Sequence, residues 1–222
     1  RSGAIDVYPE YTGTALMAIL ARPPIEDRAA VLPTIRAALA PQGIEWLTSF
    51  GFDNTYALAM PEALAQKLGI ARISDLLAHP ELRAGFASEF LAREDGWPGL
   101  ERRYGLHFES PPISMEAGLM YQAAAQGQLD VVSAYSTDGR VESSHLRILD
   151  DDRAFFPPYE AMLMVRTQAL ERNPRVRELL AKLGGTIDEK TMRHMNAEVD
   201  SGRRSAEQVA REFLDVQRAR LR

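Results

Sequence analysis

Short apolar runs alternate with helix-patterned stretches along the whole chain, and this alternation constrains the fold more than any other feature. Residues 5–8, 43–47, 55–60, 83–87, 129–135, 146–149 and 161–165 read as strands bounded by Gly, Pro, Asp or Ser. Helices are predicted over 15–21, 26–39, 63–68, 100–104, 115–127, 174–183, 188–199 and 205–220, the 115–127 helix with Leu119 and Ala123 on one face. Thr12 or Thr14, Ser74, and Thr186 or Asp188 are candidate caps. Pro23-Pro24 stops the first helix, and Asp95-Gly96-Trp97-Pro98-Gly99 interrupts another entered at Phe90. Turns or loops are expected at 9–14, 49–54, 136–139 and 150–152, and Pro157-Pro158 holds an extended segment. Ser2-Gly3 reads as a helix end or turn, so the chain opens as though further sequence preceded it. The pattern is α/β, with the closing helices expected to pack back on the first lobe.

At 222 residues the chain accommodates one large domain or two small ones. It is 45% hydrophobic with 15 Gly and 13 Pro, a globular composition. Lys and Arg number 26 against 31 Asp and Glu, giving 26 − 31 = −5, so no overall positive field would hold nucleic acid or an anionic membrane. The absence of cysteine removes disulfides, thiolate metal sites and cysteine nucleophiles together. No apolar run approaches the roughly 20 residues needed to span a bilayer, and the first residues lack the apolar stretch of a secretion signal.

Enzyme signatures are lacking: there is no P-loop, nucleophile elbow or His-Glu-x-x-His, and His79, His107, His145 and His194 are scattered. Asp150-Asp151-Asp152 lacks the ligand spacing of a calcium loop and reads better as a solvated turn than as a metal site. No catalytic residue, metal or cofactor is therefore expected. Tyrosines carry more information. Tyr8, Tyr56 and Tyr135 lie at or near predicted strand ends, and Tyr159 follows Pro157-Pro158. Ligands of open α/β sheets bind beyond the carboxyl ends of strands. Singly, each ring reads as an ordinary half-buried packing residue; together they suit a quaternary ammonium, which has no N–H to donate and is drawn to ring faces instead. Each face contributes about 0.5–2 kcal/mol. Association costs about 4–15 kcal/mol, so further polar anchors or an enclosing cleft are required.

Four motifs carry a family resemblance. They are Ile5-Asp6-Val7-Tyr8-Pro9-Glu10-Tyr11-Thr12-Gly13-Thr14, Gly51-Phe52-Asp53-Asn54-Thr55-Tyr56-Ala57-Leu58, Tyr135-Ser136-Thr137-Asp138-Gly139-Arg140 and Phe155-Phe156-Pro157-Pro158-Tyr159-Glu160-Ala161. Phe90-Leu91-Ala92-Arg93-Glu94-Asp95-Gly96 and Asn196-Ala197-Glu198-Val199-Asp200 support them. In this order and spacing the chain resembles the substrate-binding proteins of ABC transporters for glycine betaine, choline, carnitine and related osmoprotectants. The resemblance implies a type II periplasmic-binding-protein fold of two α/β lobes around a ligand cleft, with residues 1–57 and 160–222 in the first lobe and 58–159 in the second. It implies an aromatic cage of Tyr8, Tyr56, Tyr135 and Tyr159, with Asn54 beside the ammonium group. Thr12 and Arg93 match positions that hold a ligand carboxylate, although Arg93 reads equally as a surface ion pair with Glu89 or Glu94. Tyr11 has a weaker claim than Tyr8, and Asp138 more simply shapes its Asp-Gly turn.

The implied function is capture of a quaternary ammonium solute and delivery to a permease, at the periplasmic or extracytoplasmic face of a bacterial membrane, without nucleic acid or cofactor. The start departs from the family, whose members begin with a further βαβ portion. Either the chain is a fragment or the first lobe is completed differently, for example by another chain; an exposed sheet edge invites pairing, which makes a partner-completed or swapped homodimer one of the readings. The alternatives are a sensing or permease-fused domain of the same fold, and a small-molecule hydrolase or lyase using Asp and His groups of the cleft.

Overall fold

Eight strands fall into two sheets in the computed structural model, which describes residues 4–220 apart from 24 and 26. The positions Ser2-Gly3, Pro24 and Glu26, assigned above to a turn, a helix stop and a helix start, lie outside the described residues. The strands are Val7–Tyr11 (β1), Ile44–Asp53 (β2), Tyr56–Pro61 (β3), Ala84–Phe86 (β4), Ile113–Ser114 (β5), Val131–Tyr135 (β6), Leu146–Ile148 (β7) and Glu160–Arg166 (β8). By contacts the chain divides into two units. One holds the chain up to Asn54 together with Pro157–Met192, and the other Thr55–Phe156 together with Arg193–Arg220.

In the first unit β8 runs between β1 and β2, antiparallel to both, in register from Val7 opposite Val165 to Tyr11 opposite Ala161. Because successive side chains alternate between two covered faces, β8 is apolar from Ala161 to Val165. Met162 and Met164 pack with Val31, Ile35, Leu39 and Trp46, while Leu163 and Val165 pack with Leu170, Val176 and Leu180. The helix Arg28–Leu39 therefore covers one face, and Thr167–Arg172 with Pro174–Ala181 the other. Asp27 starts the covering helix by accepting from the Ala29 N–H at 2.9 Å.

The second unit holds a mixed sheet in the order β5-β4-β6-β3-β7, with β4 parallel to β5 and β6, and β3 antiparallel to β6 and β7. Leu58 and Met60 of β3 pack with Phe86, Phe90, Trp97 and Leu100, whereas Ala59 joins Val132 and the helix Ala117–Ala125 through Met120 and Tyr121. The helical stretch from Arg193 onward was expected to close the first lobe but groups with this unit. Arg193 donates to the Ser136 carbonyl, and Asn196 to the Thr137 carbonyl at 2.8 Å. Gly139 lies so near this helix that a Cβ would stand 2.4 Å from the Ala197 nitrogen.

Other sequence expectations are corrected. The turn expected over 9–14 is strand as far as Tyr11, followed directly by helix from Thr12, and neither Thr12 nor Thr14 caps it with its side chain. The loop expected over 49–54 is the second half of β2, which stays paired with β8 through register shifts between Trp46 and Ser49 and between Ser49 and Asp53. Ser74 lies inside a short 3₁₀ helix, Ile73–Ala78, that Asp75 anchors by accepting from the N–H groups of Ala71 and Arg72. Leu119 points outward at 59% exposure, because Met120 and Ala123 supply the buried face. Asp188 does accept from the Thr191 N–H, at 2.7 Å. Among the described residues, no helix is long and apolar enough to cross a membrane.

Candidate functional site

In the second unit Tyr56 and Tyr135 sit directly opposite one another on β3 and β6. Their rings stack with centroids 5.0 Å apart and planes 23° off parallel. Phe90 meets the Tyr56 ring edge-on at 5.2 Å. Cross-strand aromatic pairs of this kind stabilise a sheet, yet Tyr135 remains 42% exposed. Burial pushes the Tyr56 hydroxyl well above the usual tyrosine range. Its hydrogen bond to Tyr135 and the nearby charge of Glu89 act in the same sense, while Arg93 opposes them. Tyr56 therefore stays neutral and presents an intact phenol ring.

A second group gathers in the first unit at the junction of β1, β2 and β8. The Tyr159 carbonyl accepts from the Asn54 N–H at 3.0 Å. Its ring lies against Gly13, where a Cβ would come within 2.6 Å of the ring. Tyr11 lies at the end of β1, where burial raises the pKa of its hydroxyl, the nearby Asn54 side chain lowers it, and Glu10 and Tyr8 raise it. Tyr8 is 47% exposed and borders a groove with Ile5, Ile44 and Met164. Tyr11 thus stands with Asn54 and Tyr159, and Tyr8 further back along the strand.

The residues matched to carboxylate binding are held by protein partners. Thr12 is buried, and its hydroxyl donates to the Pro158 carbonyl at 3.2 Å while accepting from the Glu160 N–H at 3.0 Å. Arg93 sets Nε and Nη2 each 2.7 Å from the two oxygens of Asp95, and its Nη1 is 3.5 Å from Glu89. Glu94, the other expected partner, pairs with Arg102 instead.

The remaining acids are structural. Asp138 caps the helix Gly139–Ser143 and accepts from Arg140 and from the Tyr121 hydroxyl. Asp151 accepts from the Tyr104 hydroxyl at 2.6 Å and from the Phe155 and Phe156 N–H groups at 3.0 and 2.8 Å, while Asp152 accepts from the Ser74 N–H. Asp150 and Asp152 are exposed, as a solvated turn requires, while Asp151 braces the chain leading to Pro157.

Gly13, Phe90, Asp53 and Asp95 escaped assignment from sequence, although all four lie within the quoted motifs or next to a named site residue. What could have found Gly13 is its place beside Thr12, since a glycine inside a helix costs stability unless a close approach requires it.

Residues 1–216 match the family described as the substrate binding domain of the ABC-type glycine betaine transport system. The chain is 38% identical over 225 residues to the glycine-betaine-binding protein of Pseudomonas aeruginosa, spanning 96% of this chain and 72% of that protein. It is 33% identical over 217 residues to the carnitine transport binding protein OpuCC of Listeria monocytogenes, spanning 96% of this chain and 70% of that one. A crystal structure of a glycine betaine/carnitine/choline ABC transporter superposes with a TM-score of 0.91 at 33% identity, covering 97% of this chain and 80% of that chain.

Proposed function

The chain belongs to the family of substrate-binding domains of ABC-type glycine betaine transport systems, and from that membership we infer that it captures a quaternary ammonium compatible solute for an ABC importer. Its mixed α/β architecture is that of periplasmic binding proteins, which are binders and not enzymes. Glycine betaine, choline and carnitine are the solutes considered.

The stacked pair Tyr56–Tyr135 is the observation that carries this reading, because it offers aromatic surface at the end of two paired strands. A trimethylammonium group gains about 0.5–2 kcal/mol from each ring face it meets. We assign Tyr56, Tyr135, Tyr11, Tyr159 and Tyr8 to the ligand, with Asn54 beside the charged group. The place of Tyr11 at the end of β1, with the Asn54 side chain near its hydroxyl, supports promoting it to the cage itself.

The place of action that follows is the extracytoplasmic face of a bacterial membrane, with a permease as partner. β1 is an edge strand of its sheet, which supports pairing with a second copy; a monomeric light-scattering peak with full ligand affinity would oppose it.

Isothermal titration with glycine betaine, choline and carnitine, followed by mass analysis of the recovered ligand, tests the reading. Binding with return of the unchanged solute is expected. No binding to any of the three, or a chemically altered ligand, would overturn it.

A further inference from the structure

Tyr135 is the last residue of β6 and is exposed. Tyr56, its partner in the stack, also packs against the buried core beside Phe90. Where the Tyr135 ring stands is therefore set mainly by its own backbone and by the chain that follows it. That chain is fixed on its sheet side by Thr55, the neighbour of Tyr56. The Ser136 N–H donates to the Thr55 carbonyl at 2.9 Å, and the Thr55 N–H donates to the Ser136 hydroxyl oxygen at 3.0 Å. The turn then closes on itself, with the Asp138 N–H donating to the Tyr135 carbonyl at 3.1 Å.

Two more bonds come from far along the chain, from the helix Glu189–Asp200. Arg193 Nη1 donates to the Ser136 carbonyl at 2.5 Å, across 57 residues, and Asn196 Nδ2 donates to the Thr137 carbonyl at 2.8 Å, across 59. Residues three apart share a helix face, so one face presents both donors. Ser136 and Thr137 are buried, where a carbonyl needs a donor, and a donor carrying charge makes the stronger bond. The helix backbone lies directly on the same turn, because a Cβ on Gly139 would stand 2.4 Å from the Ala197 nitrogen. His194, on the same helix, reaches Glu142 instead at 2.9 Å, and that pair is exposed.

We propose that Arg193 and Asn196 are positioning residues for the ligand: by gripping the two carbonyls that follow Tyr135, they hold its ring in the stack with Tyr56 that receives the ammonium group. Neither residue need touch the solute. The proposal rests on the reading of Tyr56 and Tyr135 as the ligand platform. It gives the helix after Arg193 a part in recognition beyond its packing on the second unit, and it confines that part to two side chains whose donors meet the turn.

The test uses the full chain and whichever of choline, glycine betaine and carnitine it binds most tightly. Titration calorimetry compares the parent with R193K, N196A and H194Q, each with Tyr135 in place and again in Y135L, which keeps similar bulk without a ring face. With Tyr135 in place, R193K and N196A should each lower affinity by at least about threefold, while H194Q stays near the parent. In Y135L the same two changes should shift affinity by no more than about 1.5-fold. A merely structural role would cost affinity equally with and without the ring. R193K keeps the charge and decides alone should N196A not fold. Equal losses in the two backgrounds, no loss in the folded variants, or a loss in H194Q as large as theirs overturns the proposal and leaves the receptor reading intact. Parent-like affinity in Y135L removes that ring from the site and overturns the proposal as well. Failure of the parent to bind any of the three solutes overturns the receptor reading itself, and this proposal with it.

Discussion

Thr12 and Pro158, 146 residues apart in sequence, are joined by a hydrogen bond from the Thr12 hydroxyl to the Pro158 carbonyl. The same oxygen accepts from the Glu160 N–H, so one buried hydroxyl brackets the backbone on both sides of Tyr159. Replacing Thr12 with Val keeps the shape but leaves both backbone groups without this partner, a cost of about 1–3 kcal/mol. Thr12→Ser should retain most of the stability in chemical denaturation. Because the hydroxyl proton is given to Pro158, Thr12→Val should weaken carboxylated and neutral-tailed ammonium ligands alike. A selective loss of the carboxylated ligand would return Thr12 to the role that the family resemblance implies.

Gly13→Ala tests the ring that this bracket positions. Alanine is worth about 0.5–1 kcal/mol over glycine within a helix, so stability should hold or rise if nothing opposed the added methyl. Here that methyl meets the Tyr159 ring at 2.6 Å and must move it. Affinity for choline should fall by at least about fivefold, since roughly 1 kcal/mol suffices for that factor. Unchanged affinity would remove Tyr159 from the site.

Tyr11 and Tyr8 separate cleanly as a pair of variants. Tyr11→Ala should lower choline affinity by about tenfold or more, and Tyr8→Ala by less, because Tyr11 is the less exposed ring and lies near Asn54. Equal losses, or a larger loss at Tyr8, would favour the order of importance expected from sequence.

Two aspartates should respond to pH in opposite directions. Burial raises the Asp53 pKa against the pull of Arg28, and Glu160 and Glu189 raise it further. The folded state then holds that proton more tightly than the unfolded one, so stability is present at low pH and lost as pH rises through the folded pKa. Asp53→Asn should raise Tm at pH 7, with the gain shrinking toward pH 4. For Asp138 burial also pushes upward, but Arg140 and the backbone N–H it offers outweigh burial, and the pKa is lowered. That contribution is present above the unfolded value near 3.9 and is lost as pH falls through the folded pKa. Asp138→Asn should therefore lower Tm at pH 7, with the loss fading in acid. Thermal melts from pH 3 to pH 8 check both signs.

Tyr104 belongs to the frame and not to the ligand. It is 2% exposed, donates to Asp151 and accepts from the Arg153 N–H at 2.8 Å. Tyr104→Phe should cost about 1–3 kcal/mol of stability with ligand affinity nearly unchanged, measured by urea denaturation alongside titration.

Much of this was legible because strands and their ends are written in short-range patterning. Tyr56 opens one apolar run and Tyr135 closes another, and the antiparallel pairing of those runs makes them neighbours. The end of β1 at Tyr11 was not legible, because Pro9 reads as the end of a strand. β1 is an edge strand, where the missing proline N–H costs little, so the strand continues through Pro9 opposite Leu163 and its end falls at Tyr11. The second half of β2 was hidden for a related reason: its register shifts break the alternation by which a strand is recognised. The packing of the helix after Arg193 rests on Asn196 and Arg193 meeting carbonyls near Ser136, a long-range match that no local pattern announces. The engagement of Arg93 by Asp95 is local in sequence, but Glu89 and Glu94 offered equally plausible partners.

The central claim is that tyrosine faces bind a methylated nitrogen by its charge. Its most direct test is a titration comparing choline with 3,3-dimethyl-1-butanol, the neutral molecule of the same shape, on the parent chain and on Tyr56→Ala. The parent should bind choline at least about tenfold more tightly than the neutral analogue, and Tyr56→Ala should lose most of that preference. Equal affinity for the two molecules, or a preference that survives loss of the Tyr56 ring, would contradict the account.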